Sequence, residues 1–145
     1  MSVCTFFGHR ECWDLDSNKL CTAIEELITN GVDTFYVGNQ GHFDGMVHSA
    51  LRKLCVVYPH IRYAVVLAYL PTKREKYVDS SDTMYPEGIE NGPPKFAIAR
   101  RNQWMLEASD YCLCYIDHTW GGAYQYARQA KQKGKTVINL CDLVI

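Results

Sequence analysis

The chain has 145 residues, a formal net charge of −1, 48% hydrophobic residues and 21% charged residues, the proportions of one soluble globular domain over residues 1–145 and not of a disordered chain. No apolar run reaches the roughly 18 residues of a membrane span, and the opening Met1-Ser2-Val3-Cys4-Thr5 lacks the order of a secretory signal. Near-neutral charge provides no global field for a nucleic acid or an anionic membrane, although it is compatible with a local basic pocket; no membrane partner and no extended nucleic acid are expected, cytoplasmic residence is expected from seven cysteines without a secretory signal, and a homo-oligomer is left open.

Val3 to Phe7 reads as a first strand, ended by Gly8-His9-Arg10. Ser17 opens a helix whose Leu20, Ala23, Ile24, Leu27 and Ile28 share one face, and Gly31 follows its last turn as a left-handed cap. Thr34 to Val37 is a second strand, interrupted by Gly38-Asn39-Gln40-Gly41. Met46, Val47, Ala50, Leu51 and Leu54 mark a second helix, with Asp44 at its start as an N-cap. Arg62 to Ala68 is a third strand. From about 70 to 95 the periodicity lapses among Pro71, Pro86, Gly88, Gly92, Pro93 and Pro94, a long loop of the kind that is usually functional or disordered. Pro94 opens a helix to about Ala108, Asp110 to Ile116 is a fourth strand, Trp120-Gly121-Gly122 precedes a helix with Ala123, Tyr126, Ala127 and Ala130 on one face, and Thr136 to Leu140 is the last strand. Strands alternating with helices predict an α/β, Rossmann-like, doubly wound sheet, mostly parallel, of about five strands with helices on both faces.

In such a sheet, ligands sit beyond the carboxyl ends of the strands. The segments leaving those ends are Gly8-His9-Arg10, Gly38 to Asp44, Tyr69-Leu70-Pro71 and Asp117 to Gly122. The two glycine loops each join a strand to a helix, where unpaired N–H groups and the helix dipole favour an anion such as phosphate or pyrophosphate; each loop alone is also compatible with a plain tight turn. Arg10 and Arg101 are the candidate neutralising cations, with Asn102 beside the latter, although a surface guanidinium is the alternative for Arg101. Phe43, Tyr69, Trp120 and Tyr124 offer rings for stacking or for the core. His9, His42 and His118 are candidate proton-transfer groups or solvated side chains. Asp44 could instead accept from a ribose hydroxyl, and Ser109-Asp110 reads as a helix end feeding a strand.

The predicted ligand-binding set is therefore Gly8, His9, Arg10, Gly38, Asn39, Gln40, Gly41, Asp44, Arg101, Asn102, Trp120, Gly121 and Gly122, with no cofactor and no metal. The seven cysteines are irregularly spaced, which fits reduced thiols better than a disulfide framework. Cys112 and Cys114 fall on one face of a strand, without the second pair that a four-ligand metal site requires.

The motifs Cys4 to Arg10, Val37 to Asp44, Arg101 to Met105, Ser109-Asp110 and Trp120-Gly121-Gly122 resemble the SLOG superfamily, and within it the short YpsA-like proteins labelled DUF1273. The resemblance spans nearly the whole chain. It implies a Rossmann-like fold binding a nucleotide or nucleotide-derived ligand such as an ADP-ribose-like signal. One branch, the LOG-type phosphoribohydrolases, cleaves the N-glycosidic bond of nucleoside monophosphates. Arg101, Met105, Ser109-Asp110 and Gly121-Gly122 match its pattern, whereas Trp120 replaces its proline, Tyr124-Gln125 its Gly-Thr and Arg128 its catalytic glutamate. Three functions follow. The first is a nucleotide-binding module whose long loop covers the ligand. The second is a glycosidic-bond hydrolase in which His9, Glu87 or Asp44 supplies the acid or base. The third is a non-catalytic protein that sequesters a signalling nucleotide or acts as an adaptor.

Overall fold

Runs of apolar residues flanked by amphipathic helices dictate a covered sheet, and the computed structural model, which describes residues 1–69 and 82–145, has one. The elements are β1 (Val3–Gly8), α1 (Ser17–Thr29), β2 (Thr34–Val37), α2 (Gly41–Val57), β3 (Arg62–Val66), β4 (Thr83–Met84), a 3-10 turn (Pro94–Phe96), α3 (Ala97–Ala108), β5 (Tyr111–Tyr115), α4 (Gly122–Gln132) and β6 (Thr136–Asn139). Among the described residues the strands form one sheet in the order β4-β3-β2-β1-β5-β6. Every pairing is parallel. The α/β, Rossmann-like, doubly wound architecture is as expected, with one strand more than the sequence suggested. That strand is β4, two residues pairing with Val65 and Val66, inside the stretch read as a long loop. The part of that stretch from 70 to 81, including Leu70 and Pro71, lies outside the described residues.

Alternation along the strands divides the core. Cys4 and Phe6 of β1, with Leu113 and Tyr115 of β5, pack with the buried faces of α1 and α2. Phe7, Cys112 and Cys114 point the other way and pack with Met105, Leu106, Ala127 and Ala130 of α3 and α4. The two cysteines on one strand face are thus core residues. Burial pushes the Cys4 thiol well above its ordinary value, which removes it from thiolate chemistry. Among the described residues, no helix is long and apolar enough to cross a membrane.

Local signals position the ends. Asp16 caps α1 by accepting the Asn18 N–H at 3.0 Å, and Gly31 closes it at φ +98°. Ser109 terminates α3, donating to the Met105 carbonyl at 2.6 Å, and the Asp110 carboxylate accepts the Val3 N–H at 3.0 Å, so the Ser-Asp pair is structural, a helix end feeding a strand.

Gly8 ends β1 in a space that admits no side chain. A Cβ there would stand 2.3 Å from Cδ2 and Cγ of Phe43, whose ring is buried. Gly8→Ala is expected to lower the unfolding free energy by about 1–3 kcal/mol through overpacking. Gly45, inside α2, has nothing within 4 Å of such a Cβ, so Gly45→Ala should stabilise by about 0.5–1 kcal/mol. Urea midpoints of the two variants moving in the same direction would refute this account.

Candidate functional site

β1 is the strand at which the chain reverses direction across the sheet, with β2 on one side and β5 on the other, so the loops leaving β1 and β5 open a crevice at the carboxyl edge. A cavity of about 520 Å³ lies there. Its walls are Gly8, His9 and Arg10 after β1, Gln40 and Asp44 at the start of α2, Lys95, Arg101 and Asn102 around α3, and Gly121 and Gly122 at the start of α4. Most of the predicted set therefore meets in one place. Gly38, Asn39, Gly41 and Trp120 do not line it; Trp120 lies in the adjoining concavity with Gly121 and Tyr124.

The interior of the site differs from expectation at Arg101. Its side chain is only 2% exposed. Nη1 donates to the Val66 carbonyl and to Asn39 Oδ1, each at 3.1 Å, and Nε donates to Asn102 Oδ1 at 2.8 Å. It ties α3 to the end of β3 and to the loop after β2. Burial lowers its pKa, opposed by the charge of Asp44. Three of its five N–H donors are thereby engaged by protein oxygens.

The first glycine loop is likewise turned inward. A Cβ on Gly38 would meet Asp44 Oδ2 at 2.9 Å and Arg101 Cζ at 3.0 Å, and one on Gly41 would meet the Arg10 Cα at 2.9 Å; here glycine admits protein groups. Gln40 N donates to Asp44 Oδ2 at 2.9 Å, and His42 N donates to the Arg10 carbonyl at 2.8 Å. The N-cap of α2 is Gln40, so Asp44 is not the cap residue; it lies within the first turn and its carboxylate reaches back to the cap N–H. Burial pushes its pKa up to about 6, against the lowering effects of that hydrogen bond and of Arg101.

The second loop is different. Gly121 caps α4 at φ +93°, with no side-chain cap bond, and nothing lies within 4 Å of a Cβ built on Gly121 or Gly122. This helix start faces open space beside Arg10 and Lys95, both exposed.

Rings flank the groove. His9 and His118 stack at 3.6 Å with 9° between their planes, and His118 lies 4.0 Å from Trp120. Next to Arg10, whose carbonyl accepts the His42 N–H, Trp13 stacks on His42 at 4.2 Å. Trp13 and Trp120 are 74% and 68% exposed. Trp13 and Lys95 were not anticipated from sequence. The available signal was position: each lies close to a segment leaving or approaching the carboxyl edge. His9 Nε2 accepts the Asp117 N–H at 3.3 Å; burial, then the neighbouring His118, lowers the His9 pKa, while Asp117 raises it.

No family model and no curated protein matches the sequence. Solved structures do match in fold. DNA processing protein A (DprA) from Streptococcus pneumoniae superposes with a TM-score of 0.68 at 16% identity, over 95% of this chain and 50% of that one. DNA processing protein A from Helicobacter pylori, described for its single-stranded DNA binding mode, superposes with a TM-score of 0.61 at 16% identity, over 95% of this chain and 64% of that one. The chain thus spans half to about two thirds of the length of these proteins. The shared feature is the Rossmann-like fold, which is consistent with the SLOG resemblance.

These neighbours correct the functional expectation. They process DNA, and one binds it single-stranded, so a module for a small nucleotide-like ligand that excludes extended nucleic acid is withdrawn, with its hydrolase and sequestering variants. Geometry supplies the physical reasons. Arg101 and the Gly38–Gly41 loop are engaged internally, the carboxylate lining the cavity is the held Asp44, and Glu87 is exposed and does not line it.

Proposed function

We propose that this domain binds single-stranded DNA along the groove at the carboxyl edge of its sheet. Phosphates lie against Arg10, Lys95 and the amides of the Gly121-Gly122 turn, and bases stack on the outer faces of Trp120 and Trp13. The observation that carries the reading is an open groove with two exposed cations, Arg10 and Lys95, next to the exposed indole of Trp120, which reaches the groove wall through the His118–His9 stack, and a second exposed indole, Trp13, stacked on the His42 that bonds to the Arg10 carbonyl. Stacking platforms with a cationic track are how single strands are held without base readout. The DNA-binding neighbour of like fold supports the same class of ligand. The finer assignment, to the YpsA-like branch, rests on the Gly8-His9-Arg10 and Gly38–Asp44 motifs. Gly8, His9, Gln40 and Asn102 shape the wall, while Asn39 and Arg101 hold it in place.

Fluorescence anisotropy with a labelled oligothymidylate tests this. Trp120→Ala is expected to weaken binding by about 1–3 kcal/mol, the contribution of one stacked base. Arg10→Ala and Lys95→Ala should each reduce the slope of log affinity against log salt by about 0.7 for every phosphate no longer neutralised. Equal affinity for duplex and single strand, or affinity indifferent to all three substitutions, would remove the proposal.

A further inference from the structure

We infer a binding site for a divalent transition-metal ion formed by His9, Asp117 and His118 at the rim of the groove. Because β1 and β5 are paired, the residues that follow them become neighbours although His9 and Asp117 are 108 positions apart. One carboxylate oxygen, Asp117 Oδ1, lies 3.4 Å from His9 Nε2 and 2.6 Å from His118 Nδ1. The three donor atoms all lie within 4.8 Å of one another.

Two imidazoles and a carboxylate suit zinc, manganese, iron(II), cobalt or nickel, whereas calcium and magnesium prefer all-oxygen sets. His9 Nε2 accepts the Asp117 N–H at 3.3 Å, so its proton sits on Nδ1, the tautomer in which Nε2 can ligate; metal capture exchanges that long hydrogen bond for the metal–nitrogen bond. Three protein ligands leave positions open to solvent or to an incoming oxygen.

The stacked rings determine what binding must change. With 9° between their planes and centroids 3.6 Å apart, their in-plane lone pairs are confined to two nearly parallel, separated planes, whereas metal–nitrogen bonds of roughly 2.0–2.1 Å must converge on one point. His118, whose side chain is 28% exposed against 10% for His9, is the ring free to turn. Turning it lifts it from Trp120, 4.0 Å away, so metal capture alters the surroundings of an indole. The metal site does not depend on the DNA reading, and its test contains no nucleic acid.

The test is calorimetric and fluorimetric titration of the purified chain with zinc sulfate alone, with cobalt(II) chloride for its visible spectrum. The expected result is a saturable site whose filling changes tryptophan emission, a change absent in Trp120→Phe. Asp117→Asn and His118→Ala should each weaken zinc at least about tenfold, the lower end of what even an outer-shell partner contributes, with near-ultraviolet circular dichroism showing each variant folded. Cobalt should show d–d bands without the sulfur-to-metal charge transfer that a site among the seven cysteines would give. Four results would each overturn the assignment: no saturation up to millimolar zinc, undiminished affinity in both folded variants, a thiolate band, or binding with no change in Trp120 emission.

Discussion

Arg101→Ala is expected to destabilise the fold by about 3–5 kcal/mol, the range for removing one member of a buried charged network. For a chain of this size that lowers the melting temperature by roughly ten degrees. The cost arises from orphaned groups. The Val66 carbonyl and Asn39 Oδ1 lose their donor, Asn102 Oδ1 loses the Nε bond, and Asp44 loses the charge that opposes its desolvation. A buried acceptor left without a partner costs about 1–3 kcal/mol by itself. Arg101→Lys keeps the charge but cannot reproduce the planar fork, so it should recover only part of the loss. Thermal unfolding followed by circular dichroism decides the matter. A melting temperature within two or three degrees of wild type for Arg101→Ala would mean that this guanidinium is not a structural strut and would return it to the pool of ligand-facing cations.

The second large effect is a dependence on pH located at Asp44. Its folded pKa, about 6, lies above the ordinary 3.8. A carboxyl whose folded pKa is raised binds more protons in the native state between those two values, so stability falls as pH rises through that window. The interval corresponds to about 3 kcal/mol at roughly 1.4 kcal/mol per pH unit, fully lost above pH 6 and regained below pH 4. Asp44→Asn retains a carbonyl oxygen for the Gln40 N–H and cannot ionise. The expected result is therefore that the difference in urea-derived stability, variant minus wild type, grows from pH 4 to about pH 6 and levels off above it. A difference independent of pH would show that Asp44 does not titrate in the fold. In an Arg101→Ala background the window should move upward, because the guanidinium is one of the two influences holding the carboxyl down.

The architecture was legible because it depends on repeating patterns. Leu20, Ala23, Ile24, Leu27 and Ile28 mark a helix face regardless of context, and strands covered on both sides read as apolar runs. β4 was not legible: Thr83 and Met84 form too short an element for alternation to register, and their pairing with β3 is a tertiary fact. The convergence of the site was readable in outline, since in a parallel sheet every strand delivers its following loop to the same edge. What each group faces there was not. Spacing on α3 places Arg101 on the inner side with Ala97 and Met105, but a guanidinium on an inner face can meet a ligand or protein oxygens, and only the fold shows the Val66 carbonyl waiting for it. The same ambiguity made Gly38 look like an opening for a phosphate when it is clearance for Arg101 and Asp44. The His9–His118–Trp120 column depends on which two strands are adjacent, and β1 next to β5 is a matter of topology, not of local composition.

That adjacency has a bearing on biosynthesis. β1 lies in the interior of the sheet and gains its second neighbour only when residues 111–115 are available to pair with it. Until they leave the ribosome, the N-terminal three quarters of the chain carries an unpaired strand edge with apolar Phe6 and Phe7 on it. Nascent chains with such edges are slow to complete long-range pairing and open to pairing with other chains meanwhile, so the docking of β5 on β1 is what closes this sheet.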